Sequence, residues 1–156
     1  MKERVVVGTL TVVAVVAVAS CKDDVGLTSI PPEPERFVAF LSGANEPNAI
    51  TTAAQGFATF TRDSNSLIYR ITLSNVDSAF AAHIHAGPAG LSGGIMVGLY
   101  GSPSPVTDLA FSGTLIEDTV VVVDSVLTRM RNGTAYVNVH TKKNPGGEIR
   151  GQVFQQ

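Results

Sequence analysis

The three histidines of the chain fall in two short stretches that alternate like β-strands. His83 and His85 lie two residues apart, so on a strand both imidazoles point to one face while the intervening Ile84 points to the other. His140 lies on the polar side of a second alternating stretch, residues 135–140. Every histidine is therefore predicted to lie on the polar face of a strand.

These three imidazoles could bind a metal ion if the two strands are neighbours in a sheet. Residues two apart on one strand are separated by about 6.8 Å and lean the same way. Three neutral imidazoles and a water molecule suit Cu(II) or Zn(II). We therefore take His83, His85 and His140 as candidate ligands of copper or zinc.

The residues around this candidate site follow from a predicted hairpin between the last two alternating stretches. Its tightest register sets His140 opposite Glu148 and Asn138 opposite Arg150 on the polar side. Glu148 is then a candidate hydrogen-bond partner of His140, and Arg150 would add positive charge nearby. Tyr136 and Asn138 share the polar face of the strand that carries His140.

The same residues also have a purely structural interpretation. The imidazoles could hydrogen-bond to loop backbone and to Tyr136 or Asn138, which would stabilise the fold without any ligand. Glu148 and Arg150, two residues apart on one face, would then form a surface ion pair that contributes less than about 1 kcal/mol. The sequence leaves both interpretations open.

Composition and patterning indicate one all-β domain. The chain has 156 residues, 44% of them hydrophobic, with 15 glycines, 8 prolines and no tryptophan, which suits a single domain with appendages. Short alternating runs separated by turn residues predict an antiparallel β-sandwich or β-barrel of about eight strands. The predicted strands cover residues 36–42, 55–62, 67–74, 80–86, 95–100, 109–117, 134–141 and 148–154. Residues 119–127 are ambiguous, and residues 124–131 could form one short helix.

The first residues have the pattern of a secretion signal. Lys2 and Arg4 precede an apolar run over residues 5–19, which is short for a permanent membrane span. The run ends in Val18-Ala19-Ser20-Cys21, which resembles the lipobox of bacterial lipoproteins, where the cysteine carries the lipid. Residues 1–20 are therefore predicted to be a lipoprotein signal peptide.

We expect the lipid on Cys21 to attach the protein to a membrane without spanning it. Cys21 is the only cysteine, so the remaining chain can form no internal disulfide. Residues 21–35 read as a flexible proline-bearing stalk, and residues 36–156 as the folded domain. By analogy with lipoproteins of Gram-negative bacteria, Lys22 favours the outer membrane, with the domain facing the periplasm or the exterior.

The charge of the chain does not suit a nucleic-acid partner. Without residues 1–20, 9 basic side chains stand against 12 acidic ones. Lys142 and Lys143 are the one adjacent basic pair in that part of the sequence, whereas a phosphate backbone requires a basic cluster or stripe. We expect no nucleic-acid partner, and instead an unidentified protein or surface ligand.

Five segments, in order along the chain, resemble the CHRD domain, a module named after chordin. They are residues 41–46 (LSGANE), 56–60 (GFATF), 82–87 (AHIHAG), 136–141 (YVNVHT) and 144–152 (NPGGEIRGQ). The resemblance extends over about residues 36–155. It implies a single antiparallel β-sandwich, a Greek key of the immunoglobulin or superoxide dismutase kind. It also implies a non-catalytic binding or structural module, and it identifies no partner.

The histidine pattern is also similar to the copper ligands of copper/zinc superoxide dismutases, which use a β-sandwich too. This similarity implies the alternative function of a copper- or zinc-binding protein with redox or superoxide-related activity. Those enzymes, however, use more histidines than the three found here and a disulfide that a single cysteine cannot form. The Gly-x-Ser-x-Gly pattern occurs at residues 90–94, but within a glycine-rich loop that no helix follows, so it prepares no nucleophile, and we assign no catalytic residue.

Overall fold

The structure is a computed structural model that describes residues 33–102 and 110–156. The predicted signal peptide, Cys21 and most of the predicted stalk lie outside the described residues. The predictions about lipid attachment are therefore not addressed by the fold.

The described residues form nine strands, one α-helix and one 3-10 turn. The strands are β1 (Arg36–Ser42), β2 (Gln55–Asp63), β3 (Ser66–Val76), β4 (Ala79–Ala86), β5 (Ile95–Gly101), β6 (Phe111–Val121), β7 (Ala135–Thr141), β8 (Ile149–Gln152) and β9 (Phe154–Gln155). Helix α1 is Asp124–Arg131, and the 3-10 turn is Gly43–Asn45. The predicted all-β class is confirmed.

Two predicted segments differ in detail from the observed elements. Residues 119–121 extend β6, and the helix predicted at residues 124–131 is present as α1. The last predicted strand, residues 148–154, is divided into β8 and β9, because β8 pairs with β7 whereas β9 pairs with β1. This division gives nine strands where about eight were predicted.

All strand pairs are antiparallel and follow the order β5-β4-β7-β8-β1-β2-β3-β6, with β9 added to β1. The chain passes from β5, at one end of this order, to β6 at the other, and returns to β7. The sheet curls so that β3 and β5 meet across the core, where the Tyr69 hydroxyl donates a 2.6 Å hydrogen bond to the carbonyl of Leu99. The result is a nearly closed sandwich.

The core forms where alternating side chains of both halves of the sheet meet. On β3, Leu67, Tyr69, Ile71 and Leu73 are all buried, as their period-two spacing predicts. On β4 the inward side chains include Ala82 and Ile84, which lie between the histidines in sequence. The outward direction of His83 and His85 is therefore a consequence of packing the core.

The folded domain begins slightly earlier than predicted. The Glu35 carboxylate, assigned above to the stalk, accepts hydrogen bonds of 2.6 and 2.7 Å from the Arg131 guanidinium of α1. The Glu35 carbonyl also accepts the backbone N–H of Arg62 at 2.8 Å.

No helix in the described part of the chain is long and apolar enough to cross a membrane.

The hydrogen bond between Tyr69 and Leu99 should stabilise the closed sheet. We expect Tyr69→Phe to lower the free energy of unfolding by about 1–2 kcal/mol, because it leaves a buried carbonyl without its donor while the ring is kept. Urea unfolding followed by circular dichroism measures the change. The control is Tyr100→Phe, which changes a partly buried tyrosine next to Leu99 on β5. An equal loss of stability in both variants would contradict the role assigned to the hydrogen bond between Tyr69 and Leu99.

Candidate metal centre

The pairing of β4 with β7 brings the three histidines to one place. The register sets His83 opposite Asn138, His85 opposite Tyr136 and Ala81 opposite His140. His140 is thus diagonal to His83, a separation that long side chains can bridge. The small side chain of Ala81 leaves space for the His140 ring to lean toward His83.

The three imidazoles are in mutual contact. The Nδ1 atom of His83 lies 3.1 Å from the Nε2 atom of His140. Ring centroids are 5.0 Å apart for His83 and His140, 5.6 Å for His83 and His85, and 5.9 Å for His85 and His140. One nitrogen from each ring can be chosen so that all three lie within 4.8 Å of one another. The predicted convergence on one patch is present in the structure.

Two loop carbonyls fix the tautomers of two of these rings. The Nδ1 atom of His85 lies 3.0 Å from the carbonyl oxygen of Gly93, and that of His140 lies 2.9 Å from the carbonyl oxygen of Pro145. A carbonyl oxygen can only accept, so both Nδ1 atoms carry the proton. The Nε2 atom of neutral His140 then accepts the Nδ1–H of His83 at 3.1 Å, a hydrogen bond that a metal ion would replace. The Nε2 atom of neutral His85 keeps a free lone pair, which is the state that a metal ion requires.

The Nε2 atom of His85 is buried and has no hydrogen-bond partner among the described residues. Burial is also the main cause that lowers the pKa values of His83 and His85, with further lowering from the neighbouring imidazoles. For His85 the charge of Arg150 acts in the same direction, and the hydrogen bond to Gly93 opposes it. The cluster thus favours neutral rings and leaves one buried lone pair unused.

One face of the His85 ring is covered by a stack that consists of the Tyr136 ring and the Arg150 guanidinium. The Tyr136 ring lies parallel to the His85 ring, with centroids 4.9 Å apart and an interplanar angle of 10°. The guanidinium carbon of Arg150 lies 3.4 Å from the centroid of the Tyr136 ring, a cation–π contact. Tyr136 therefore contributes to the cluster by stacking on His85. Arg150 adds a positive charge that is separated from His85 by the Tyr136 ring.

The glycine-rich loop at residues 87–94 holds His85 through Gly93. The backbone N–H of Gly93 donates to the Tyr136 hydroxyl at 3.1 Å, and its carbonyl accepts from His85. A Cβ atom at this position would lie 1.5 Å from the carbonyl oxygen of Ala86, so only glycine fits. Sequence reasoning identified the loop but missed this residue; the signal was its closeness to the His-x-His pair.

Glu148 and Arg150 do not form the predicted surface ion pair. Both are buried, and the Glu148 carboxylate accepts hydrogen bonds from the hydroxyls of Thr52 at 2.7 Å and Thr141 at 2.6 Å. Burial alone would raise the pKa of Glu148, but these two hydrogen bonds, the nearby Asn144 amide and the charge of Lys143 hold it below its usual value. The prediction was wrong because covering loops bury this face.

Two further predictions concern the position of Asn138 and the hydrogen-bond partner of His140. Asn138 lies opposite Arg150 in the β7–β8 pairing, as the predicted register had it. Its amide donates to the Glu46 carboxylate at 3.1 Å. The Nδ1 atom of His140, for which Glu148 was the candidate partner, instead bonds to Pro145. The loop residue Pro145 was not singled out from the sequence, and Glu46 was interpreted there only as a turn or cap residue.

The lowered pKa values of His83 and His85 have a consequence for stability. The unfolded chain takes up protons on these residues near the ordinary histidine pKa of about 6.5, before the folded protein does. The free energy of unfolding should therefore fall as the pH drops from about 6.5 through the folded-state pKa values. His83→Gln should weaken this dependence, as measured by urea unfolding between about pH 7.5 and 5; an unchanged slope would contradict the shift.

The comparisons with known proteins agree with the fold and the segments described above. The CHRD domain family model matches residues 37–153. Chordin from Xenopus laevis is 31% identical over 128 residues, which cover 76% of this chain and 13% of that protein. The chain thus spans about an eighth of the length of that relative, and no solved structure matches. The match to the family model includes both histidine strands and every strand from β2 to β8 in full, and the chain belongs to the CHRD domain family.

Proposed function

We propose that this chain is a lipid-anchored, non-catalytic binding or structural module of the cell envelope, and that its histidine cluster binds a divalent transition-metal ion. The CHRD family supports the role of a binding or structural module. The observation that carries the metal proposal is the group formed by His83, His85 and His140, whose nitrogens lie within 4.8 Å of one another.

The donor set fits a transition metal in both chemistry and spacing. Imidazole nitrogens bind Zn²⁺ at about 2.0–2.1 Å, so two ligands of one ion lie at most about 4.2 Å apart. In tetrahedral coordination two such ligands lie about 3.4 Å apart, so the widest pair here, at up to 4.8 Å, would need to close by about 1.4 Å through side-chain rotation. The separation of 3.1 Å between His83 Nδ1 and His140 Nε2 already suits two ligands of one ion.

The surroundings of the cluster favour binding over a purely structural role for the rings. Metal-binding histidines usually donate the second ring N–H to a carbonyl or carboxylate, as His85 and His140 donate to Gly93 and Pro145. These backbone bonds satisfy the structural interpretation of the sequence, yet they use only the Nδ1 atoms. The buried Nε2 atom of His85 remains without a partner in the described residues, and a metal ion would supply one.

The choice between metals follows from general affinities. With three imidazole ligands and a position for water, both Cu(II) and Zn(II) are suitable, and Cu(II) binds a given nitrogen site more tightly. We therefore expect Cu(II) to displace Zn(II) from the site.

Membrane attachment through Cys21 is the second part of the proposal. The apolar run at residues 5–19 and the lipobox-like sequence ending at Cys21 support it. The lipid would hold the module at the envelope, most simply in the outer membrane facing the periplasm or the exterior, near the protein or surface ligand that it binds.

Removing a histidine should abolish tight metal binding. We expect the full-length protein to bind one Cu(II) ion in calorimetry, and His85→Ala and His140→Ala each to weaken binding by about 100-fold or more. Asn48→Ala, an exposed loop substitution, should leave the isotherm unchanged. His83→Ala provides a partly exposed ligand substitution in case a buried variant folds poorly. Equal copper affinity in the wild type and all three histidine variants would refute the metal centre.

Lipid attachment should depend on Cys21 alone. In cells of a Gram-negative host that are fed a labelled fatty acid, the wild-type chain should incorporate label and sediment with membranes, whereas Cys21→Ser should do neither. Because the chain has no other cysteine, no second thiol can replace it. Label that persists in the variant, or an unlabelled wild-type protein, would overturn the anchoring proposal while leaving the metal proposal intact.

A further inference from the structure

A cavity of about 450 Å³ lies beside the histidine cluster and shares none of its residues. It is bordered by the 3-10 turn, by the loop at residues 87–94 and by the chain of β8 and β9. Cavities of this size are typical of small-molecule sites. Its polar lining includes Glu46, Arg150 and Gln152, and its apolar lining includes Phe40, Pro47 and Phe154.

Arg150 is the unusual member of this lining. Its side chain is 1% exposed, yet a guanidinium keeps its charge at any physiological pH. One nitrogen, Nη2, donates to the carbonyl of Pro88 at 2.9 Å, and the guanidinium plane covers the Tyr136 ring. The other terminal nitrogen, Nη1, is buried and has no acceptor within the described residues.

No carboxylate in the described ranges forms an ion pair with Arg150; the ion pairs found there involve Glu35 and Glu117. Glu46 is the acidic residue of the cavity lining, but its carboxylate accepts from Asn138. Burial raises the pKa of Glu46, against the opposing effect of Arg150 and this hydrogen bond. A buried cation is costly unless an anion pairs with it, and Glu46 acts on the Arg150 guanidinium through its charge without forming an ion pair with it.

The opposite part of the lining is apolar and open to solvent. Phe40 is 65% exposed and Phe154 is 55% exposed, although large aromatic rings are normally at least partly covered. Both rings border the cavity that Arg150 also lines. A ligand that lay across these rings would bury them while its polar end reached the guanidinium.

We propose that this cavity binds an organic carboxylate, whose acid group pairs with Arg150 and whose apolar body lies against Phe40 and Phe154. A carboxylate supplies the acceptor that Nη1 lacks and a negative charge in contact with the guanidinium, which Glu46 does not provide. This site is separate from the proposed metal centre, and neither proposal depends on the other.

The test uses a matched pair of probes with full-length, metal-free protein. Hippurate carries an aromatic ring and a carboxylate, and hippuramide is its neutral amide of nearly the same shape. We expect hippurate to bind about tenfold or more tightly than hippuramide, with amide chemical-shift changes at residues 44–46, 89–90 and 150–152. Equal affinity for the two probes, or no hippurate binding up to about 10 mM, would overturn the proposal.

Variants separate the charged wall from the apolar wall. Arg150→Gln should remove the preference for hippurate over hippuramide, and the double variant Phe40→Ala/Phe154→Ala should weaken both probes several-fold. Ile68→Ala, an exposed apolar residue outside the cavity, should change neither. If Arg150→Gln does not fold, the comparison of the two probes and the double variant Phe40→Ala/Phe154→Ala still test the proposed site. Hippurate binding that is lost in His83→Ala but kept in Phe40→Ala/Phe154→Ala would place the ligand at the histidines and refute this site.

Discussion

The pairing of β4 with β7 is the constraint on which the candidate site depends. Core packing turns Ala82 and Ile84 inward, and the alternation of the strand then forces His83 and His85 outward together. The register adds His140 diagonally, and a shift of one residue would move it to the opposite face. The cluster is therefore fixed by the same hydrophobic pattern that folds the sandwich.

The outward face of these strands is not a surface. The loops at residues 43–52, 87–94 and 142–147 cover it, and every residue of β7 is buried. Burial changes the chemistry of the polar side chains there: it keeps His85 neutral, it requires the hydroxyls of Thr52 and Thr141 around Glu148, and it leaves Arg150 with an aromatic ring as its main neighbour. The polar side chains of these strands are therefore buried between the sheet and the loops that cover it.

The sequence predicted the strands and the histidine cluster because both follow from local periodicity. The face of β3 formed by Leu67 to Leu73, the helix at residues 124–131 and the opposition of Asn138 to Arg150 are all confirmed. The error at Glu148 and Arg150 arose because period-two alternation identifies a non-core face but does not reveal whether loops bury it. The roles of Gly93 and Pro145 depend on backbone carbonyls, which carry no side-chain signal.

Tyr136 connects the two candidate sites through one aromatic ring. Its face toward His85 supports a ligand of the proposed metal centre, and its other face carries the Arg150 guanidinium. The positive charge of Arg150 disfavours protonation of His85, and so helps to keep the Nε2 lone pair available for a metal ion. A carboxylate paired with Arg150 would offset part of that effect, because the charges act across a single ring in a buried setting where screening is weak. Above the ordinary histidine pKa of about 6.5 the ring is already neutral, so the attraction between the carboxylate and the bound ion sets the sign of the coupling, and each ligand would strengthen the binding of the other by the same factor.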